Sequence, residues 1–203
     1  HLILRARIQQ LETLEYENDR LRNITSSAER ISYEVMFGQV VEIGVDLYEN
    51  AALVNRGTVD GVYVGQTVLD SNGVVGQVRR VGALESLIML VTDTSLGVPV
   101  KVARTGLHTI LYGSGREGLV TAPFLESTVD VVEGDVFVTS GLASSYIAGY
   151  PVARVVEIKR DPNLAFLDIR AKPIADLGSL QEILLVWPGA NEDISLAPLG
   201  SGK

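Results

Sequence analysis

The 203-residue sequence predicts a mainly β fold with an N-terminal α-helix: a coiled-coil helix followed by two small antiparallel β-barrels. Three observations carry this. The first thirty-odd residues keep a helical apolar spacing and contain neither Pro nor Gly. From Met36 onward the apolar period drops from 3.6 to 2, with turn residues at short intervals. One hairpin pattern then occurs twice.

The helical stretch covers residues 2–32. Two heptad registers compete for it. One places Leu4, Leu11, Asn18 and Thr25 at a, with Arg7, Leu14, Leu21 and Ala28 at d. The other runs through Ile8, Glu15 and Arg22 and loses its apolar character after Leu11. The first is adopted, and it predicts a dimer seam of Leu4, Leu11, Leu14, Asn18, Leu21 and Ala28. A lone Asn at an a position costs stability but specifies a parallel two-stranded register, and Glu17 at g faces Arg22 at the following e. An isolated amphipathic helix is marginal in water, so the stripe must meet a second copy or its own domain. Some 30 residues at 1.5 Å each make a rod of roughly 45 Å. The chain opens at His1 inside this pattern, and a preceding segment carrying an anchor is the expectation. No run of 18 apolar residues is present.

The remainder reads as roughly a dozen strands: 36–43, 51–55, 66–70, 74–81, 86–91, 98–104, 108–112, 118–122, 136–139, 152–159, 166–172 and 182–187. Asn72-Gly73, between the third and fourth, is the strongest short hairpin signal. Many short strands with frequent turns suit barrels or sandwiches. Residues 64–69 leading to 73–78 are echoed by 133–138 leading to 149–155, each reading as Gly, strand, turn, Gly, return strand. That echo points to two barrels of one plan, with Gly at the corners. The expected organisation is a dimerisation helix over 1–34, a first barrel over 35–113, a second over 114–189 and a polar tail over 190–203. Gly113 to Arg116 is the expected junction, and either barrel is open to borrowing a strand from the far end of the chain.

Composition narrows the function. The net charge of −8 is unsuited to nucleic-acid backbones or an anionic membrane face. The absence of Cys excludes disulfides and thiolate metal sites, and two His leave little for an imidazole site. No cofactor, metal or catalytic residue is expected. His108, Asp130 or Asp135, and Ser140 do follow the His…Asp…Ser order of a chymotrypsin-like serine hydrolase. However, Ser140 lacks a preceding Gly for an oxyanion turn, and His108 lies within a strand pattern. Glu133 and Asp135 flank Gly134 at a turn, where acids are ordinarily caps. Gly113-x-Gly115-x-x-Gly118 leads into a strand, not a helix, so no helix dipole awaits a phosphate. The 140–150 loop offers Leu142, Tyr146, Ile147 and Tyr150. These are read either as an exposed docking surface or as a plug for the barrel end.

Several blocks carry a family resemblance. They are Asn55-Arg-Gly-Thr-Val-Asp-Gly-Val-Tyr-Val-Gly-Gln-Thr-Val, Asn72-Gly-Val-Val-Gly-Gln-Val, Leu90-Val-Thr-Asp and Val98-Pro-Val. Further on come Gly134-Asp-Val-Phe-Val-Thr-Ser-Gly-Leu and Gly149-Tyr-Pro-Val-Ala-Arg-Val. In this order they resemble the MreC family of bacterial rod shape-determining proteins, over nearly the whole chain. Ala153 stands where the family often has Gly. The resemblance implies a transmembrane anchor ahead of the coiled coil and a body of two β-barrels on the periplasmic face of the inner membrane. It implies a non-catalytic scaffold of the elongation machinery, which inserts lateral peptidoglycan. The implied partners are a second copy, a class B penicillin-binding transpeptidase, RodA and MreD, with MreB across the membrane.

Overall fold

The computed structural model describes residues 34–45, 50–115, 118–142, 146–160 and 165–187. The coiled-coil reading and the tail lie outside them, except Glu34, which opens the first strand. The strands are β1 (Glu34–Val45), β2 (Asn50–Val54), β3 (Thr67–Leu69), β4 (Val74–Val81), β5 (Ser86–Leu90), β6 (Gly97–Val102), β7 (His108–Gly113), β8 (Val120–Thr121), β9 (Val136–Thr139), β10 (Pro151–Lys159), β11 (Asp168–Pro173) and β12 (Glu182–Trp187). A 3-10 turn, Thr58–Asp60, precedes β3. The run predicted over 118–122 shortens to two ladder residues.

Two closed six-stranded barrels result, in the orders β1-β12-β3-β4-β5-β2 and β10-β11-β8-β7-β6-β9. Closure leaves no free sheet edge. Every described pairing is antiparallel. The expected boundary at 113/114 is therefore corrected. β6 and β7 belong to the second barrel, and β12 returns from the end of the chain to the first. Its Leu184 and Leu185 pair with Leu69 and Val68, and its Glu182 to Trp187 pair with Gln39 to Glu34. Ile183 and Leu185 point into the first core, beside Val54, Val68, Val75 and Ile88. Burying an Ile or Leu side chain stabilises by about 1.5–3 kcal/mol, which favours capture of the distant strand.

The echo marks a real equivalence. Gly65 and Gly134 both take positive φ, at +90° and +91°, a region that favours Gly. The Gly65 N–H donates to the Val78 carbonyl at 2.8 Å, and Gly134 to Val155 at 2.9 Å. Val78 and Val155 return bonds to the Gln66 and Asp135 carbonyls, both at 2.9 Å. Both return strands then bulge, at Val78/Arg80 and Val155/Glu157.

The true junction is the crossover at 91–96. Asp93 is buried and accepts the Asn50 N–H at 2.8 Å, the Ser95 N–H at 2.8 Å and the Ser95 hydroxyl at 2.5 Å. The Asn50 amide donates to the Thr92 and Gly115 carbonyls. A Cβ on Gly113 would stand 2.0 Å from the Thr92 carbonyl carbon. The expected junction at Gly113 to Arg116 is displaced to this crossover, against which Gly113 and Gly115 pack. Asp70 holds the return crossover, accepting the Asp176 N–H at 2.9 Å. Between the barrels Leu69, Val74, Val91 and Val186 pack into one cluster with the second core around Phe137, Leu111 and Ile169.

Candidate docking surface

The outer face of the second barrel is built from strand alternation. On β7 Leu111 and Gly113 are buried, so His108, Ile110 and Tyr112 point out. On β6 Gly97, Pro99 and Lys101 stand opposite Tyr112, Ile110 and His108. Gly97 leaves room for its neighbours: an added Cβ would come 3.1 Å from the Tyr112 ring and 3.3 Å from Ile110. Phe124, 61% exposed, meets Tyr112 edge-on at 6.0 Å between centroids, a geometry aromatic pairs prefer. The Ser140 N–H donates to the Pro99 carbonyl at 3.1 Å, which ties the start of the 140–150 loop to β6. Leu142, two residues on, is 74% exposed.

The loop residues divide. Leu142 is exposed as expected, but Tyr146 and Ile147 are 6% and 7% exposed and belong to the second core, and Tyr150 packs half-buried against it. The exposed reading of these three is corrected in favour of the plug. The cause is Thr139, fully buried on β9. Its hydroxyl donates to the Ile147 carbonyl and accepts the Tyr150 N–H at 2.9 Å. Burial raises the Tyr146 phenol above its ordinary range, and its hydroxyl has no hydrogen-bond partner among the described residues. Ile110, Tyr112 and Phe124 were missed by sequence reading. The signal for Ile110 and Tyr112 was parity with His108 on β7, which alternation alone leaves ambiguous when both faces are apolar; Phe124, in a turn, carries no such signal.

The hydrolase constellation does not assemble. Arg104 takes both aspartates: Nε lies 2.9 Å from Asp135 Oδ1, and Nη1 lies 2.7 Å from Asp130 Oδ2. These bonds hold both carboxyls below the usual range. Asp135 also accepts the Val132 N–H at 3.0 Å, as a turn cap would, but it is buried. His108 is exposed, and the Ser140 hydroxyl accepts the Leu142 N–H at 3.3 Å. Among the described residues no hydrogen bond joins His108 to Ser140 or to either aspartate.

This barrel pair matches known proteins. The family model for the rod shape-determining protein MreC, barrel core, covers residues 40–187. The cell shape-determining protein MreC of Haemophilus influenzae is 38% identical over 91% of this chain and 52% of its own length. The chain belongs to the MreC family. The Escherichia coli member is 36% identical over 92% of this chain and 51% of its own length, so the chain spans about half the length of the curated relatives it matches. The crystal structure of MreC from Pseudomonas aeruginosa aligns at a TM-score of 0.73 with 36% identity, over 76% of this chain and 99% of that one. Two more distant structures share the fold alone. A major periplasmic domain from the cell shape-determining filament MreC aligns at 0.67 and 20% identity, over 79% of this chain and 99% of that one. MreC in a complex with penicillin-binding protein PBP2 from Helicobacter pylori aligns at 0.56 and 14% identity, over 75% of this chain and 98% of that one.

Proposed function

We propose that this chain is a non-catalytic scaffold that maintains rod shape by organising lateral peptidoglycan synthesis, and that the outer face of its second barrel docks a class B penicillin-binding transpeptidase. The supporting observation is the apolar row of half-buried Pro99 and Tyr112 with exposed Ile110 and Phe124, together with exposed Leu142 on the loop tied to β6 at Pro99. Exposed aromatic and aliphatic groups on a rigid sheet are contact chemistry. The Helicobacter pylori complex supports a penicillin-binding partner for the family, and the likeness to a major periplasmic domain of MreC supports a place outside the inner membrane. Self-association through Leu4, Leu11, Leu14, Asn18, Leu21 and Ala28, an anchor ahead of them, and association with RodA, MreD and, indirectly, MreB complete the reading.

The test is surface plasmon resonance against the transpeptidase ectodomain of the same bacterium. Phe124→Ser and Ile110→Ser should weaken binding by about 1–2 kcal/mol each at an unchanged melting temperature. Tyr146→Ala should lower the melting temperature instead. Unchanged binding in both exposed variants sinks this face as the docking site. A fluorophosphonate probe should leave Ser140 unlabelled; labelling would restore the hydrolase reading.

A further inference from the structure

A concavity lies on the first barrel, on the outer face of β4, β5 and β2. It encloses about 240 Å³ and is lined by Ala51, Arg79, Arg80, Leu87, Met89 and Asp93. The bulge at Val78/Arg80 makes it. Consecutive residues of a regular strand point to opposite faces, yet Arg79 and Arg80 are both exposed. Leu87 lies opposite Arg80, and Met89 lies opposite Ala51, so the floor beside the two guanidinium groups is apolar. Asp93 closes the inner end, but its oxygens are taken by Asn50 and Ser95; it senses Arg79 only through space. Among the described residues neither arginine donates a hydrogen bond or enters an ion pair. The equivalent bulge of the second barrel carries Val156 and Glu157 instead, so this groove is particular to the first.

We propose that the groove docks an extended acidic and aliphatic segment of a protein partner. The partner's carboxylates meet Arg79 and Arg80, and its aliphatic side chains lie on Leu87 and Met89. The argument is local charge complementarity: Arg79 and Arg80 are two guanidinium forks without carboxylates of their own, and the planar, bidentate geometry of a carboxylate matches them. An anionic membrane surface is the weaker fit, because a flat headgroup layer makes no use of a concave Met and Leu floor.

The experiment is an amide-resonance titration of the 15N-labelled chain, which registers weak binding. The probes are a heptapeptide alternating acidic and aliphatic residues, its amide twin with Gln and Asn, and phosphatidylglycerol vesicles. The acidic peptide should shift Ala51, Arg79, Arg80, Leu87 and Met89 saturably. The effect should fall with salt and weaken about tenfold or more with the amide twin or in Arg79→Glu/Arg80→Glu. Both arginines are exposed, so the variant should keep the parent spectrum elsewhere; Arg79→Gln/Arg80→Gln serves if it does not. The proposal is overturned if those resonances stay still, if the amide twin binds equally, or if only vesicles move them.

Discussion

The first barrel draws its strands from both ends of the described chain, 34–90 and 182–187, whereas the second is one continuous run, 97–173. Their strands nevertheless correspond one to one. Starting from the echoed hairpins, β3, β4, β5, β2, β1 and β12 match β9, β10, β11, β8, β7 and β6, and each neighbouring pair has its counterpart. The last strand of the first barrel thus stands where the first strand of the second stands, as in a circular permutation. The match reaches side chains. Past the end of β6, Arg104 Nη2 donates to the Asp130 carbonyl at 3.3 Å; at the end of β12, Trp187 Nε1 donates to the Gly61 carbonyl at 3.3 Å. The Val91 N–H donates to Val75 and the Ile174 N–H to Val152, both at 2.9 Å. Barrel geometry tolerates different chemistry at equivalent points, an indole in one and a guanidinium in the other. It also tolerates different chain routes, provided each strand reaches its slot with the right face inward.

The sharpest way to break this comparison is to remove β12. Deleting residues 182–187 takes Ile183 and Leu185 out of the first core, a loss comparable to the stability of a small domain. Hydrogen exchange should show protection lost over 34–90 and kept over 97–173. Simultaneous loss in both would mean that the continuous barrel does not stand alone. Next in size is Gly76→Ala, whose Cβ would lie 1.9 Å from the Met89 carbonyl oxygen. Overpacking of this kind costs about 1–3 kcal/mol, while the reverse change at the equivalent Ala153 should cost about 1 kcal/mol or less; denaturant midpoints compare the two.

Asp93→Ala should come third. It leaves the Asn50 and Ser95 N–H groups without their acceptor, at a cost of about 1–3 kcal/mol, read by thermal unfolding. The smallest effect is confined to acid. Asp135 has its carboxyl lowered chiefly by the Arg104 hydrogen bonds, so its contribution is present above the unfolded value near 4 and is lost as pH falls through the lower folded value. The equivalent Gln66 cannot titrate. Stability measured from about pH 5 downward should fall in the second barrel, and Asp135→Asn should flatten that fall. An equal slope in the variant would remove Arg104–Asp135 from the account.

What the sequence determined by itself was local. Period-2 runs and one continuous apolar run located the twelve described strands, Asn72-Gly73 located its hairpin, and the doubled pattern identified Gly65 and Gly134 as equivalent corners, because alternation, turn chemistry and left-handed glycine are written within a few consecutive residues. Even the ordered blocks that resemble the MreC family are a property of the linear chain. The tertiary structure alone decided which barrel each strand joins, because Ile183 and Leu185 fill the first core from more than a hundred residues away. It also decided that Tyr146 and Ile147 turn inward, because Thr139 ties their loop down from a neighbouring strand. And it decided that Ile110 and Tyr112 face out, because an apolar strand in a small barrel has two apolar sides and only its pairing register says which one is covered; Phe124, in the turn after β8, joins them through its ring contact with Tyr112.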